Sequence, residues 1–274
     1  MRVYVSVDME GVAGVATADQ VTRGGHGYPR AQRLMTAEAN AAIAGAFDAG
    51  AEDVLVNDSH GTMDNLLPDE LDQRARLLLG EPKSEDMAAG IAAEHDVALF
   101  LGYHAAAGAP GVLAHTYSTD FFGVRLNSRP VSEAELGALQ AAAVGVPVGL
   151  VTGDNVLCDL VRTRIPRAFT AEVKTAYGYS AADSLSPAQA CDRIRSQSAQ
   201  AVAKATDLPA AEIPGVLDLE IDLHTTNAAA LAARIPGTRR VADRTVLRSC
   251  ADPTELVDFI IVCDQLAGSP SARD

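Results

Sequence analysis

Short apolar runs alternate with long alanine-rich stretches of helical period through most of this 274-residue chain. No other feature restricts the fold as much. Strand, helix and strand in succession make a right-handed βαβ unit, and repeated units build a parallel sheet covered by helices. Arg2–Val7 (RVYVSV) reads as the first strand. Pro29–Ala49 reads as a helix that stops at Gly50, a residue suited to ending a last turn. Asp53–Asn57 is the next strand, Arg76–Leu79 a weaker one, and Ser84–Glu94 a short helix. Val97–Gly102 (VALFLG) is a buried strand by its unbroken apolar character. Phe122–Leu126 reads as a strand, Ser132–Val144 as a helix, and Val146–Thr152 as a strand leading to a helix from Asp154. Beyond Pro166 the pattern is less regular, with a long helix over Pro187–Lys204, a strand over Val216–Leu223 and a final helix over Asp252–Leu266. The expectation is an α/β fold: a mostly parallel open sheet with helices on both faces, plus a mixed α/β C-terminal part. The boundary candidate near residues 160–170 divides an α/β domain (1–160) that carries the site from a C-terminal portion (161–274). No Gly/Ser-rich linker marks it, and one continuous domain is the alternative.

In an open α/β sheet, ligands bind outside the carboxyl ends of the strands. The first strand is followed by Asp8-Met9-Glu10-Gly11, the second by Asn57-Asp58-Ser59-His60-Gly61, and the Val97–Gly102 strand by Tyr103-His104. Asp8 and Glu10 are two apart, which in extended chain turns both to one side. Taken singly, each has a bland reading: an Asp after a strand forms turns or caps helices, and a lone His there is usually a hydrogen-bonded loop residue. Their coincidence at one end of one sheet is what points to a metal. His115 belongs to the same set, in the glycine-containing loop GAPGVLAHTYS. His26 lies in GGHGYPR, His95 ends the predicted 84–94 helix, and His224 follows a late strand.

The charge balance agrees. Lys+Arg is 22 against Asp+Glu 36, a net charge of −14. Binders of nucleic acid draw affinity from phosphate neutralisation and are basic, so neither a nucleic acid nor an anionic membrane surface is expected as a partner. No apolar run reaches the ~18 residues of a spanning helix. Asp8 and Glu10 sit where a signal peptide needs its apolar stretch. Cys158, Cys191, Cys250 and Cys263 form no CxxC pair, which excludes a cysteine zinc ribbon and suits free thiols in a reducing cytoplasm. A metal here must be held by His and carboxylates. Such sets suit Zn²⁺ or Mn²⁺ with an open coordination position. Three carboxylates with two neutral histidines would carry a triple negative charge, which two divalent ions and a bridging hydroxide neutralise. A dinuclear centre of that kind activates water and polarises a carbonyl.

Five segments stand out together: VDMEG (Asp8, Glu10), NDSHG (Asn57–Gly61), LFLGYHA (Leu99–Ala105), PGVLAHT (Pro110–Thr116) and RPVSE (Arg129–Glu133). On these the chain resembles the zinc D-aminopeptidases of the bacterial dipeptide-permease operon type. The resemblance covers residues 1 to about 160 in order and spacing, and the remainder more loosely. It implies a two-zinc site on Asp8, Glu10, His60, His104 and Glu133, with Asp8 bridging the ions and His115 as the catalytic residue. It further implies hydrolysis of N-terminal residues, typically D-amino acids such as D-Ala, from short peptides, inside a ring-shaped homodecamer. The residues alone say less of the last two positions. Glu133 opens a predicted helix, where a carboxylate is expected for dipole reasons; Glu135 is a rival, and gapless spacing to Val146-Pro147-Val148 favours Glu133. His115 suits an active-site flap, as acid/base or electrostatic assistant rather than nucleophile, because the metals already supply one. After residue 160 no motif fixes a substrate pocket; Ile221–Ala230 (IDLHTTNAAA) is a candidate lining segment.

Two rival readings remain. A haloacid-dehalogenase-like phosphatase would use Asp8-Met9-Glu10, Gly153-Asp154 with Asp159, and Lys174. It puts Glu10 where that chemistry wants Asp and leaves His60, His104 and His115 without a task. A catalytically inactive peptide-binding oligomer would not need the whole ligand set, all of which is present.

Overall fold

The computed structural model describes residues 1–165 and 167–273; Pro166, inside the boundary candidate, lies outside the described residues. The chain runs through β1 (Arg2–Val7), α1 (Ala18–Val21), α2 (Tyr28–Asp48), β2 (Asp53–Asp58), β3 (Arg76–Leu78), β4 (Val97–Leu101), β5 (Phe121–Leu126) and β6 (Arg129–Pro130). It continues through α3 (Glu133–Ala143), β7 (Val148–Asp154), α4 (Asn155–Arg164), β8 (Phe169–Gly178), β9 (Ala181–Ser184) and α5 (Pro187–Ala203). It ends with β10 (Leu217–Leu223), α6 (Thr226–Ala232), β11 (Arg239–Arg240), β12 (Thr245–Cys250), α7 (Pro253–Ala267) and α8 (Pro270–Arg273).

A seven-stranded sheet has the order β3-β2-β1-β4-β7-β8-β9. All its pairings are parallel except the β8–β9 edge hairpin. Side chains alternate across it as the strand period requires. Val3, Val5 and Val7 pack with Met35, Ile43 and Ile194 of α2 and α5. Tyr4, Phe100 and Val151 pack on the other face with Ala134 and Leu157 of α3 and α4. A second, antiparallel sheet of order β11-β12-β10-β5-β6 is half-buried: β10 (LDLEIDL) hides Leu217, Leu219, Ile221 and Leu223 and half-exposes the acids between them. Its covered face meets α6 and α7. Both sheets draw strands from either side of residue 160: β8 and β9 extend the first, β5 and β6 belong to the second.

Three parts of the architecture differ from the sequence expectation. The helix expected over Ser84–Glu94 is only a 3-10 turn at Asp86–Ala88. Tyr4, Ser6 and Asn57 donate to the carbonyls of Met87 and Ala89, and those carbonyls are thereby lost to a helical ladder. The β8–β9 hairpin and β12 are strands that the irregular pattern after residue 166 concealed. The β7 strand runs to Asp154, and the same residue caps α4 by accepting from Leu157 N at 2.8 Å.

Strand order locates the crevice. From β1 the chain winds outward to β2 and β3, then returns to β4 on the opposite side of β1. The switch point lies between β1 and β4, at their carboxyl ends.

Candidate metal centre

Two glycines close this crevice. A Cβ on Gly11 would lie 1.9 Å from Tyr103 O, and one on Gly102, at φ +66°, 2.2 Å from Asp8 O. No side chain fits at either position, so the loops after β1 and β4 press together. Asp8 N donates to Leu101 O (2.8 Å) and Gly11 N to Gly102 O (2.7 Å). Asp8 is thereby set beside His104. The loop after β2 is joined to β1 by Ser59 N on Val7 O (2.9 Å). Buried Asp58 shapes it by accepting from Asn65 N and Leu66 N, both at 2.6 Å, while Asn65 Nδ2 donates to His60 O (2.5 Å). Asp58 is a loop former here, and His60 is the residue turned to the crevice.

Asp8, Glu10, His60, His104 and Glu133 converge and are all buried. His60 Nδ1 lies 3.1 Å from Asp8 Oδ1 and 2.9 Å from Glu10 Oε2. His104 Nε2 lies 3.5 Å from Asp8 Oδ2 and 3.1 Å from Glu133 Oε2. The two oxygens of Asp8 therefore face different histidines. Each histidine's other nitrogen meets a carbonyl: His60 Nε2 and Val21 O at 2.8 Å, His104 Nδ1 and Ala105 O at 3.0 Å. Donation there fixes the neutral tautomer and aims a bare nitrogen at the carboxylates. Only a proton or a cation makes that arrangement favourable. Asp8 Oδ2, Glu10 Oε2 and His104 Nε2 are buried without a hydrogen-bond partner, a costly state unless a ligand satisfies them. The donor set fits divalent ions of the zinc type.

Ionisation follows the same crowding. Burial, reinforced by the neighbouring Glu10, pushes Asp8 up to about 8. Burial would raise Glu10 too, but His60 outweighs it and holds that carboxyl well below its ordinary range. Burial opposes charge on His104, yet Glu133 and Asp8 override it and raise its pKa to about 10. His115 goes the other way, lowered by burial and then by His104.

Glu133 and Glu135 separate cleanly. Glu135 closes a capping box on Ser132 and pairs with Arg129 at 2.9 Å. Glu133, the first residue of α3, turns Oε2 to His104 and accepts Tyr117 N on Oε1 at 2.5 Å. His115 stacks on His104 with ring centroids 4.0 Å apart and an interplanar angle of 12°. Its Nδ1 meets Leu113 O at 2.8 Å, and its Nε2 lies 3.9 Å from Glu133 Oε1. Leu113 (φ 52°) and Tyr117 (φ 62°) flank it in the left-handed region, a strained backbone that persists only where surroundings impose it. Leu113 N on Tyr179 O (2.8 Å) and Tyr117 N on Glu133 are those constraints.

Comparison with known proteins decides the family. The D-aminopeptidase family model, peptidase family M55, matches residues 1–262. The chain belongs to the D-aminopeptidase family. It is therefore a peptide-bond hydrolase of the aminopeptidase kind. It is 37% identical over 271 residues to a D-aminopeptidase of Bacillus subtilis (strain 168), covering 97% of this chain and 98% of that protein. It is also similar to a solved structure described as the Zn-dependent D-aminopeptidase DppA from Bacillus subtilis, a self-compartmentalizing protease. The TM-score is 0.95 at 36% identity, with 99% of each chain covered.

In this D-aminopeptidase family member the residues a phosphatase would need are engaged elsewhere. Asp154 accepts from Leu157 N and Val112 N, both at 2.8 Å, and Asp159 pairs on the surface with Arg162. Lys174, from β8, is buried and donates to the carbonyls of Glu10, Val12 (3.0 Å) and Val15 (2.6 Å). Burial lowers its pKa to about 8. With Glu38, which accepts Ala13 N at 2.8 Å, it fixes the loop that carries Glu10. Sequence reasoning missed that role, since a lone lysine 164 residues from its partner leaves no local pattern. His26 and His224 are exposed and His95 is buried against Ala92, all outside the cluster. A cavity of about 480 Å³ opens beside the centre, lined by Asp8, Glu10, His60, His115 and Glu133 together with Lys83, Asp86 and Asp264. No residue of Ile221–Ala230 lines it. No helix among the described residues is long and apolar enough to cross a membrane.

Proposed function

We propose that this chain is a dinuclear zinc aminopeptidase that releases N-terminal D-amino acids, D-alanine first among them, from di- and tripeptides. Asp8, Glu10, His60, His104 and Glu133 hold two ions per chain in this reading. His60 faces Asp8 Oδ1 and Glu10, and His104 faces Asp8 Oδ2 and Glu133, so Asp8 would be the carboxylate common to both ions. The observation that carries it is the division of one carboxylate between two histidines, at 3.1 and 3.5 Å, with the oxygen and nitrogen of the second contact unpartnered. Manganese would suit the same donors. When bound, the ions supply a water ionised near neutral pH and a Lewis acid for the scissile carbonyl.

The side chains around them complete the reaction. His115, anchored through Nδ1, presents Nε2 to the crevice. Its lowered pKa and the Nδ1 contact leave Nε2 bare in the neutral ring, so Nε2 can take up the proton released when water attacks and then give it to the leaving amine; while it carries that proton, the N–H can stabilise the oxyanion of the tetrahedral intermediate. His115 acts as a non-ligand in this reading. Asp86 and Asp264, in the adjoining cavity, are acids suited to the substrate ammonium. D-specificity is supported by the family and its Bacillus subtilis member. A homo-oligomer, as a decamer, is supported by the self-compartmentalizing relative and the family resemblance. Four unpaired cysteines support a reducing, cytoplasmic setting.

The test is a paired assay of matched D-Ala and L-Ala dipeptides with zinc-loaded protein. Preferential turnover of the D-peptide is expected. Preference for the L-peptide would sink the D-assignment, and turnover of neither would sink the alanyl-peptide assignment. Light scattering that finds a monomer at micromolar concentration would refute the assembly.

A further inference from the structure

The cavity beside the metal centre has an uneven charge. Besides the three carboxylates of the centre, Glu81, Asp86 and Asp264 line it, and Lys83 is the one lysine or arginine among its described lining residues. Lys83 is half-buried, and its Nζ donates to Asn57 Oδ1 and Asp58 O, both at 2.6 Å. Those neutral acceptors engage two of three ammonium protons. Burial lowers its pKa, against the charges of Asp58 first and then Asp86 and Glu81, but no carboxylate among the described residues closes an ion pair with it.

The segment that bears Lys83 is held in place at a cost. Glu85 (φ 59°) and Asp86 (φ 51°) are consecutive non-glycine residues in the left-handed region, which side chains disfavour. Gln140 Nε2 fixes Glu85 O at 3.0 Å, Ser6 Oγ and Asn57 Nδ2 fix Met87 O at 2.8 and 2.9 Å, and Tyr4 OH fixes Ala89 O at 3.0 Å. A helix over these residues would have satisfied the backbone locally. The observed path instead keeps a cation on the wall of the catalytic cavity.

A short peptide brings an ammonium and a carboxylate into a space of this size. The ammonium has several acids to choose from. Away from the metal-bound centre the carboxylate is repelled by Glu81, Asp86 and Asp264, and Lys83 is the one lysine or arginine there that offers a counter-charge. We propose that Lys83 anchors the free C-terminal carboxylate of the substrate and so restricts the enzyme to short peptides that end in one. This rests on the aminopeptidase reading above. Lys83 is a specificity-determining residue; it does not touch the scissile bond.

The experiment compares D-Ala-D-Ala with its C-terminal amide, using zinc-loaded wild type, Lys83→Met and Lys83→Arg. Wild type should favour the free acid in kcat/KM by roughly 10- to 100-fold, the scale of one charge-assisted hydrogen bond. Lys83→Met should bring that ratio close to one, chiefly through KM for the free acid, and Lys83→Arg should restore part of it. Equal losses on both substrates would mean that Lys83 merely holds Asn57 and Asp58, and would overturn the proposal. A wild-type ratio near one overturns it as well, and decides the matter even if Lys83→Met does not fold. Turnover of the amide alongside a ratio near one would leave the aminopeptidase reading intact. Turnover of neither peptide would remove the alanyl-peptide assignment and this proposal with it.

Discussion

Metal stoichiometry in single-ligand variants gives the sharpest test of the centre. In the two-ion proposal the donors are taken as two sets that meet at Asp8, His60 with Glu10 and His104 with Glu133, although His104 also lies within ligand reach of Glu10. Each half would then have three protein ligands, counting one Asp8 oxygen, and three is the usual number for a catalytic zinc with an open position. Asp8→Ala leaves both halves with two ligands, so the expected content falls from two ions per chain to none. Glu10→Ala depletes one half and Glu133→Ala the other, so each should retain one ion. Every occupied half also stabilises the fold, by about 2.7 kcal/mol when free metal stands at 100 times its dissociation constant. The melting temperature should therefore follow the ion count. Elemental analysis after equilibrium dialysis reads the stoichiometry, and a thermal melt of the same samples reads the stability. One ion retained by Asp8→Ala would refute the shared carboxylate. Loss of both ions from Glu133→Ala would refute the division into two halves.

Three further outcomes are expected. His115→Ala should keep both ions yet lose roughly 10²–10⁴ in kcat, the scale of acid/base or oxyanion assistance; loss of metal would make His115 a ligand. Lys174→Met removes the sole donor to Glu10 O and Val15 O among the described residues, so denaturant unfolding should show a loss on the order of 2–6 kcal/mol at about 1–3 per orphaned carbonyl, and an unchanged midpoint would show that water replaces the ammonium. Glu38 is raised by burial from 4.5 to about 7. Its folded form holds the proton more tightly than the unfolded chain does, so wild-type stability falls as pH rises through that window and stays lower above it. Glu38→Gln keeps an acceptor for Ala13 N and lacks that titration. Its stability relative to wild type should rise between about pH 5 and about pH 8, by up to on the order of 3 kcal/mol, and parallel pH profiles would contradict the burial argument.

What could be read before folding follows from how local each cause is. Val97–Leu101 is buried along its whole length, and an uninterrupted apolar run announces such a strand. The residue after a strand inherits its position from that strand, so Asp8, His60 and His104 were legible together. The Glu133 and Glu135 pair was not, because both sit in the first turn of α3 and satisfy the same helix-dipole preference. Only the capping box and Arg129, which occupy Glu135, release Glu133 to His104. The 84–94 segment failed for a non-local reason as well: its carbonyls are taken by Tyr4 and Ser6, more than 80 residues away. The hairpin of β8 and β9 carries Lys174 into the floor of the loop that bears Glu10. These cases share a cause. The first layer of the centre is written at strand ends, where periodicity reveals it. The groups that orient that layer arrive from distant parts of the chain as single polar side chains, each with a partner that exists only once the sheet has closed. A crevice of this kind can keep its ligand motifs and still lose its geometry, since a Cβ at Gly11 or Gly102 would drive apart the two loops that bring Asp8 to His104. The glycines are thus as much a condition of the candidate metal centre as the carboxylates are.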